Sequence, residues 1–429
     1  MQRIILHLDM NSYFASVEQQ ANPFYRGKPL GVCATMTNYG CIIASSKEAK
    51  AKGIKTGCRV MDARTIDPNV ILVEVDPPKY RSTTEKIFSI LADYSEDIEP
   101  YSIDEAFVNL TGFVRDFKEA AALGMKMKER IFREAGEWLT CSTGIAGTRW
   151  LAKFGSDTCG KGGLVVLTPD MLDAYLEGRD LVEAWGIADR TAEKLRELGI
   201  RDLGELKRYP VTNLRRALGM RGYELWANVN GIEFSAVQIP RLPKSVGHSH
   251  VLRRRTMDRG FHESVLMKLC EKTGRRLRSL DMEAGSLYVA IGTTLGGVGD
   301  VVRLSDRTAD TRVLFREAVK IYRREWTTGL PTFFAVYSTD LAPVSRQGAL
   351  FGKPKDYTLP KALDEINDRY GEYVVMPGSM FGLAGHHVPD RIGFRKTVSW
   401  DIADVEKMLM GKGRKQDGQA IDIVRDELS

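Results

Sequence analysis

Residues 102–107 read Ser-Ile-Asp-Glu-Ala-Phe (SIDEAF) and place Asp104 and Glu105 side by side in a segment that turns apolar from Ala106 to Val108. Two adjacent carboxylates inside a strand are costly unless a cation meets them. A third carboxylate stands about 95 residues earlier, where Asp9 ends the apolar run RIILHLD of residues 3–9. If the two segments are neighbouring strands, three anions converge and repel one another until a cation offsets them. Carboxylate oxygens with room for water and phosphate suit Mg²⁺, and two such ions serve phosphoryl and nucleotidyl transfer. The alternative is that Asp104 or Glu105 faces solvent, because successive strand residues point to opposite faces.

The length of 429 residues implies two to four domains. Hydrophobic residues make up 43% and charged residues 28%, and no apolar run approaches the ~18 residues that span a membrane. The start MQRIILHLDM is too short and too quickly charged for a signal peptide. Six cysteines are scattered without a CxxC, so reduced thiols in a cytoplasmic protein are expected. The formal charge is +6, and residues 244–340 alone hold 17 Lys/Arg against 11 Asp/Glu. The runs 253-RRR-255 and 275-RRLR-278 lie there. Such runs suit a solvated helix face or a surface that tracks phosphates; their recurrence across strands favours the second.

Periodicity divides the chain further. Residues 1–167 alternate strands and helices around a mixed sheet, with an insertion from about 11 to 78. Residues 168–232 are helical with Gly-containing turns, and the proline-bearing stretch beginning at 233 reads as a linker. Residues 244–340 follow a β-α-β-β-α-β order. The remaining residues, 341–429, read as a weaker unit with a polar tail. The fold class is therefore α+β and multi-domain.

Five segments carry a resemblance to the Y-family translesion DNA polymerases: 8-LDMNSYFASVEQ-19, 23-PFYRGKPLGV-32, 40-GCIIASSKEAKAKGIKTG-57, 101-YSIDEAFVNLTG-112 and 144-GIAGTRWLAK-153. Within that family the chain is most similar to the bacterial UmuC type, the catalytic subunit of DNA polymerase V, with DNA polymerase IV next. The resemblance implies a right-hand architecture. Residues 1–11 and 79–167 would be a ferredoxin-like palm and 12–78 small fingers. Residues 168–232 would be the thumb with a helix-hairpin-helix, 233–243 the linker and 244–340 the little finger.

It further implies that Asp9, Asp104 and Glu105, with the Met10 carbonyl, bind two Mg²⁺ ions while a primer 3′-hydroxyl attacks a dNTP. Phe14 falls at the steric gate that excludes a 2′-hydroxyl, and the DMNSYF context favours that reading over a core aromatic on helix 12–20. The N–H groups of Ser12 and Tyr13 suit triphosphate oxygens. Lys47 and Lys50 share a helix face, where many family members have tyrosine and arginine, and Lys161 lies one residue from a family triphosphate lysine.

Gly186 and Ile187 form the turn of the hairpin 182-VEAWGIADRTAEKLRELGI-200, whose backbone N–H groups are expected to meet a DNA phosphate. Arg253, Arg254 and Arg255 are expected DNA-backbone contacts. Gln347, Leu350 and Phe351 match the spacing of a bacterial sliding-clamp motif. Partners implied are primer-template DNA, dNTPs, the clamp, and for the UmuC type a UmuD-like subunit and a recombinase filament, with no membrane. A two-metal nuclease and a non-catalytic DNA-binding scaffold of polymerase shape stand as alternatives.

Overall fold

The computed structural model describes residues 2–233, 243–252, 255–344, 357–371 and 373–383. The described residues fall into two compact units, one within 1–240 and one within 241–389. In the first, the run after Arg3 becomes β1 (Ile5–Met10), followed by α1 (Tyr13–Ala21), β2 (Leu30–Cys33) and β3 (Ile42–Ser45). Then come α2 (Lys47–Ala51), α3 (Val60–Ile66), β4 (Ile71–Glu74) and α4 (Pro77–Leu91). The segment continues with β5 (Ile98–Pro100), β6 (Glu105–Asn109), α5 (Phe117–Arg130), β7 (Cys141–Ala146), α6 (Arg149–Thr158) and β8 (Leu164–Leu167).

Five of these strands form one mixed sheet in the order β5-β6-β1-β7-β8. Central β1 runs antiparallel to both neighbours. Its side chains alternate between two cores. Leu6, Leu8 and Met10 join Ala106, Val108, Phe88 of α4 and Met127 of α5. Ile5 turns the other way, toward Phe107, Ala146 and the α6 residues Trp150 and Phe154. Both faces are thus covered, and His7, on the Ile5 face, is fully buried.

Helix α6 lies unusually close to the sheet because β7 carries Gly144. A Cβ there would stand 2.0 Å from the Ala152 carbonyl oxygen and 2.5 Å from the Ser156 nitrogen. The inserted segment folds on itself as a three-stranded sheet, β3-β2-β4, around Cys33, Ile42, Ile54 and Val60. After β8 follow α7 (Leu172–Leu176), α8 (Asp189–Glu197), α9 (Leu203–Arg208), α10 (Val211–Leu218) and α11 (Met220–Val229). Their leucines, including Leu195, Leu206, Leu214 and Leu225, extend the α6 core.

The second unit contains β9 (Ser245–Val251), α12 (Arg259–Ser279), β10 (Met282–Thr293), β11 (Gly296–Thr308), α13 (Thr311–Glu325), β12 (Pro331–Pro343) and α14 (Thr358–Tyr370). Its antiparallel sheet is ordered β11-β10-β12-β9, and Leu266, Leu277, Leu314 and Ile321 of α12 and α13 fill one face. The expected β-α-β-β-α-β order is present. The unit reaches beyond residue 340, however: β12 ends at Pro343. Past it, Asp364 of α14 grips buried Arg278 of α12 at 2.6 and 2.8 Å. Hydrophobic periodicity could not mark this, because α14 docks through charged side chains. Linker residues 234–242, Arg253, Arg254 and the clamp-like Gln347, Leu350 and Phe351 lie outside the described residues.

Candidate active site

The antiparallel register of β1 and β6 sets Asp9 directly opposite Glu105, and the Met10 N–H donates to the Asp104 carbonyl at 2.9 Å. The three acids therefore gather at one end of the central strand pair. The Met10 side chain is in the core, so only its main chain belongs to the site. Ser102 donates a hydrogen bond to the Asp104 carboxylate within the SIDEAF turn.

Electrostatics separates the three acids. Burial, then the charges of Glu105 and Asp104, push the Asp9 carboxyl up to about 8. Burial, assisted by Glu105, outweighs the Ser102 hydrogen bond and lifts Asp104 to about 6. Burial alone would raise Glu105 too, but His7 and the Lys153 ammonium overcome it and hold the group at about 2. Lys153 Nζ donates to Glu105 Oε2 at 2.7 Å and to Asp157 Oδ1 at 3.3 Å. His7 Nε2 lies 3.3 Å from the same Oε2 without hydrogen-bond geometry, and burial lowers the His7 pKa to about 4. On its other side His7 Nδ1 meets Ser156 Oγ at 2.6 Å.

Among the described residues no three His, Cys, Asp or Glu side chains form a ready metal-holding group; Glu105 is turned toward Lys153. The donor chemistry nevertheless fits a hard divalent cation, since every donor is oxygen. The raised Asp9 and Asp104 carboxyls mark a surplus of anions that a cation would relieve.

The candidate nucleotide contacts stand beside these acids. Ser12 adopts a left-handed conformation, with φ 49°, at the start of α1. Its hydroxyl accepts a 2.7 Å hydrogen bond from Lys50 instead of capping the helix. Burial and the neighbouring charge of Lys161 lower the Lys50 pKa, while Asp9 opposes them. Lys50, Lys161 and Asp9 are thus electrostatic neighbours. Exposed Lys47 instead extends over the Trp138 ring, 5.5 Å from its centroid.

Phe14 is half-buried and stacks on Tyr80, with centroids 4.3 Å apart and planes 11° from parallel. Tyr80 donates to Glu18 at 2.8 Å, and Tyr13 donates to the Tyr80 carbonyl at 2.9 Å. Thr84 carries the network to the Ile103 carbonyl at 2.7 Å, so the Phe14 support and the SIDEAF turn are braced together.

Residues 8–157 match the model of the impB/mucB/samB family, and residues 243–349 match that family's C-terminal domain. A relative named DNA polymerase IV, from Bacillus velezensis, is 30% identical over 393 residues, covering 88% of this chain and 93% of the relative. The chain belongs to the Y-family of DNA polymerases. DNA polymerase IV 1 of Bacillus subtilis is also 30% identical, over 387 residues, with 88% of this chain and 93% of the relative covered. A solved Y-family DNA polymerase chimera shares the fold at a TM-score of 0.72 and 24% identity, covering 79% of this chain and 99% of its own. This Y-family polymerase is accordingly a DNA-directed DNA polymerase of the translesion type. These relatives carry the polymerase IV name, whereas the motifs had ranked the UmuC type first.

The hairpin of the polymerase's helical domain is less open than its sequence implied. Ile187 is buried and its N–H donates to the Ala184 carbonyl at 2.9 Å. The Gly186 carbonyl, at φ +95°, accepts from Arg221 at 2.6 Å. Arg255 is exposed after β9. Sequence reasoning missed His7, Tyr80 and Lys153. Only Lys153 had a signal, a lone charge in the apolar face of WLAKF (150–154), four residues from Arg149 and from Asp157.

Proposed function

We propose that this Y-family polymerase joins a dNTP to a primer 3′-hydroxyl on damaged templates, with low fidelity, as part of a DNA damage response. The observation that carries the reading is Asp9 opposite Glu105 in register, beside Asp104. Asp9, Asp104 and Glu105, with the Met10 carbonyl, would hold two Mg²⁺ ions, which supply hydroxyl activation and charge offset at the leaving pyrophosphate. Lys50, Lys161 and the N–H groups of Ser12 and Tyr13 bind the triphosphate, and Lys47 leaves Trp138 to join them. Phe14, held flat by Tyr80, closes the space that a 2′-hydroxyl would need.

Residues 168–232 form the thumb and the second unit the little finger, gripping the primer-template duplex through phosphate contacts that include Arg253, Arg254 and Arg255. Gln347, Leu350 and Phe351 dock the polymerase on the sliding clamp, two apolar side chains entering a pocket and a glutamine bonding at its rim. The polymerase IV name of the relatives supports a polymerase IV style of work; the chain would then act in the cytoplasm without an obligatory UmuD-like subunit or recombinase filament. Extension of a primed template by the purified full chain with Mg²⁺, using dNTPs and rNTPs in parallel, tests this. Synthesis from dNTPs alone supports it; no extension until accessory proteins are added returns the UmuC type to first place.

A further inference from the structure

One cation of the active site has no role in that reading. Lys153 is nine-tenths buried, and its ammonium lies between Glu105 and Asp157. A buried charge is tolerated only when its partners hold it in good geometry. Here the geometry comes from α6. Its close approach over Gly144 carries Lys153 to Glu105. Ser156, one turn on, fixes the His7 ring against the same carboxylate. The other long cation on this face, Arg149, is engaged elsewhere, paired with Glu99 over the Phe107 ring.

Both contacts to Glu105 fall on Oε2; among the described residues Oε1 makes no hydrogen bond. We infer that Lys153 is a positioning residue that occupies Oε2 of Glu105 and so leaves Oε1 as the one oxygen offered to a metal ion. Mg²⁺ prefers single oxygens at octahedral positions, and usually arrives held by one or two carboxylates and substrate phosphates. A carboxylate with one oxygen withheld meets that preference. Lys153 also cancels one of three anionic charges, which weakens the hold on a bare ion and leaves binding to be completed by the nucleotide's phosphates. Both consequences rest on the assignment of Asp9, Asp104 and Glu105 as metal ligands.

The full chain is compared with Lys153→Met, Lys153→Arg and Asp104→Asn by two readouts: binding of Mn²⁺ alone, followed by electron paramagnetic resonance, and single-nucleotide primer extension. Removing a unit charge a few ångströms from the ion should tighten Mn²⁺ binding by Lys153→Met at least about fivefold. Misplacing Glu105 should lower its kcat at least about tenfold with little change in the dNTP KM. Lys153→Arg should restore both. A lysine that merely ties α6 to the sheet gives no such divergence: Mn²⁺ binding by a folded Lys153→Met at or below the wild-type strength overturns the inference. Should Lys153→Met not fold, Lys153→Gln, which keeps a hydrogen bond and drops the charge, is judged by the same divergence. Wild-type extension by Asp104→Asn overturns the metal-site reading itself. An inactive Asp104→Asn beside unchanged Mn²⁺ binding in Lys153→Met overturns only the role of Lys153.

Discussion

Each unit of the polymerase buries a charged cluster, and the two are balanced differently. In the second unit Arg278 is 5% exposed and fully engaged. It grips Asp364 with two nitrogens and reaches the Ala309 carbonyl at 2.9 Å and Thr311 at 3.2 Å. Buried Glu283 nearby accepts from Tyr357 at 2.7 Å. In the first unit Asp9, Asp104 and Glu105 crowd together, and of the three only Glu105 touches the Lys153 ammonium. Burial therefore costs the first cluster free energy that the second recovers through pairing. A matched cluster holds a fold together; a cluster with surplus anions is kept for what it can bind.

The largest effect should come from the unbalanced side. Asp104→Asn or Asp9→Asn should lower single-nucleotide extension roughly a thousandfold or more, measured with excess enzyme over primed template. The metal-free melting temperature should stay level or rise, because one of three repelling anions is gone. A fall of several degrees would mean that the acids serve the fold, and the contrast between the units would collapse.

On the balanced side the outcome reverses. Arg278→Met strands Asp364 and should destabilise the second unit by about 3–5 kcal/mol. Hydrogen exchange of α12 and α14 amides in the full chain reads this unit by unit, without assuming two-state melting. The kcat for extension on DNA already bound should hardly change. Equal loss of protection in β1 and β6 would show that the two clusters are not independent.

The same contrast explains what could be read in advance. Patterns with a period, such as the strand expected over residues 3–9 and found at Ile5–Met10 and the β-α-β-β-α-β order after 244, are present, because burial of side chains leaves a trace in the sequence. The placement of Asp9 against Glu105 was legible once both were put in adjacent strands. The partners of the acids were not. Lys153 reaches Glu105, and Ser156 reaches the His7 ring, because Gly144 lets α6 settle on β7, a fact of three-dimensional approach. For the same reason α14 was invisible as part of the second unit: Asp364 and Arg278 are 86 residues apart. The Ile187 N–H, expected to face a phosphate, is taken up by a local turn that composition does not encode.

A smaller effect is expected at the gate. Phe14→Ala removes a ring that Tyr80 holds stacked, and should cut the preference for dNTP over rNTP by about 10–200-fold in kcat/KM ratios. dNTP use itself should fall much less. If discrimination is unchanged, Phe14 is a core aromatic and no gate.

The smallest effect concerns the proton balance of the second unit, and it separates pairing from neutrality. His262 is fully buried, with Nδ1 2.9 Å from the Tyr322 hydroxyl and the rings of Trp326 and Phe334 around it. Burial lowers its pKa from the usual 6.5. The folded unit therefore keeps a neutral imidazole where the unfolded chain takes up a proton. Its contribution to stability is whole above pH 6.5 and is lost as the pH falls from there toward the folded pKa. The slope for one proton is at most about 1.4 kcal/mol per pH unit. Hydrogen exchange of β12 and α13 amides at pH 7.5 and 5.5 should show that loss in the wild type. His262→Phe, lower in absolute stability for want of the Tyr322 bond, should lose less between the two pH values. Parallel losses in both proteins would place the acid sensitivity elsewhere in the unit, among its exposed ion pairs.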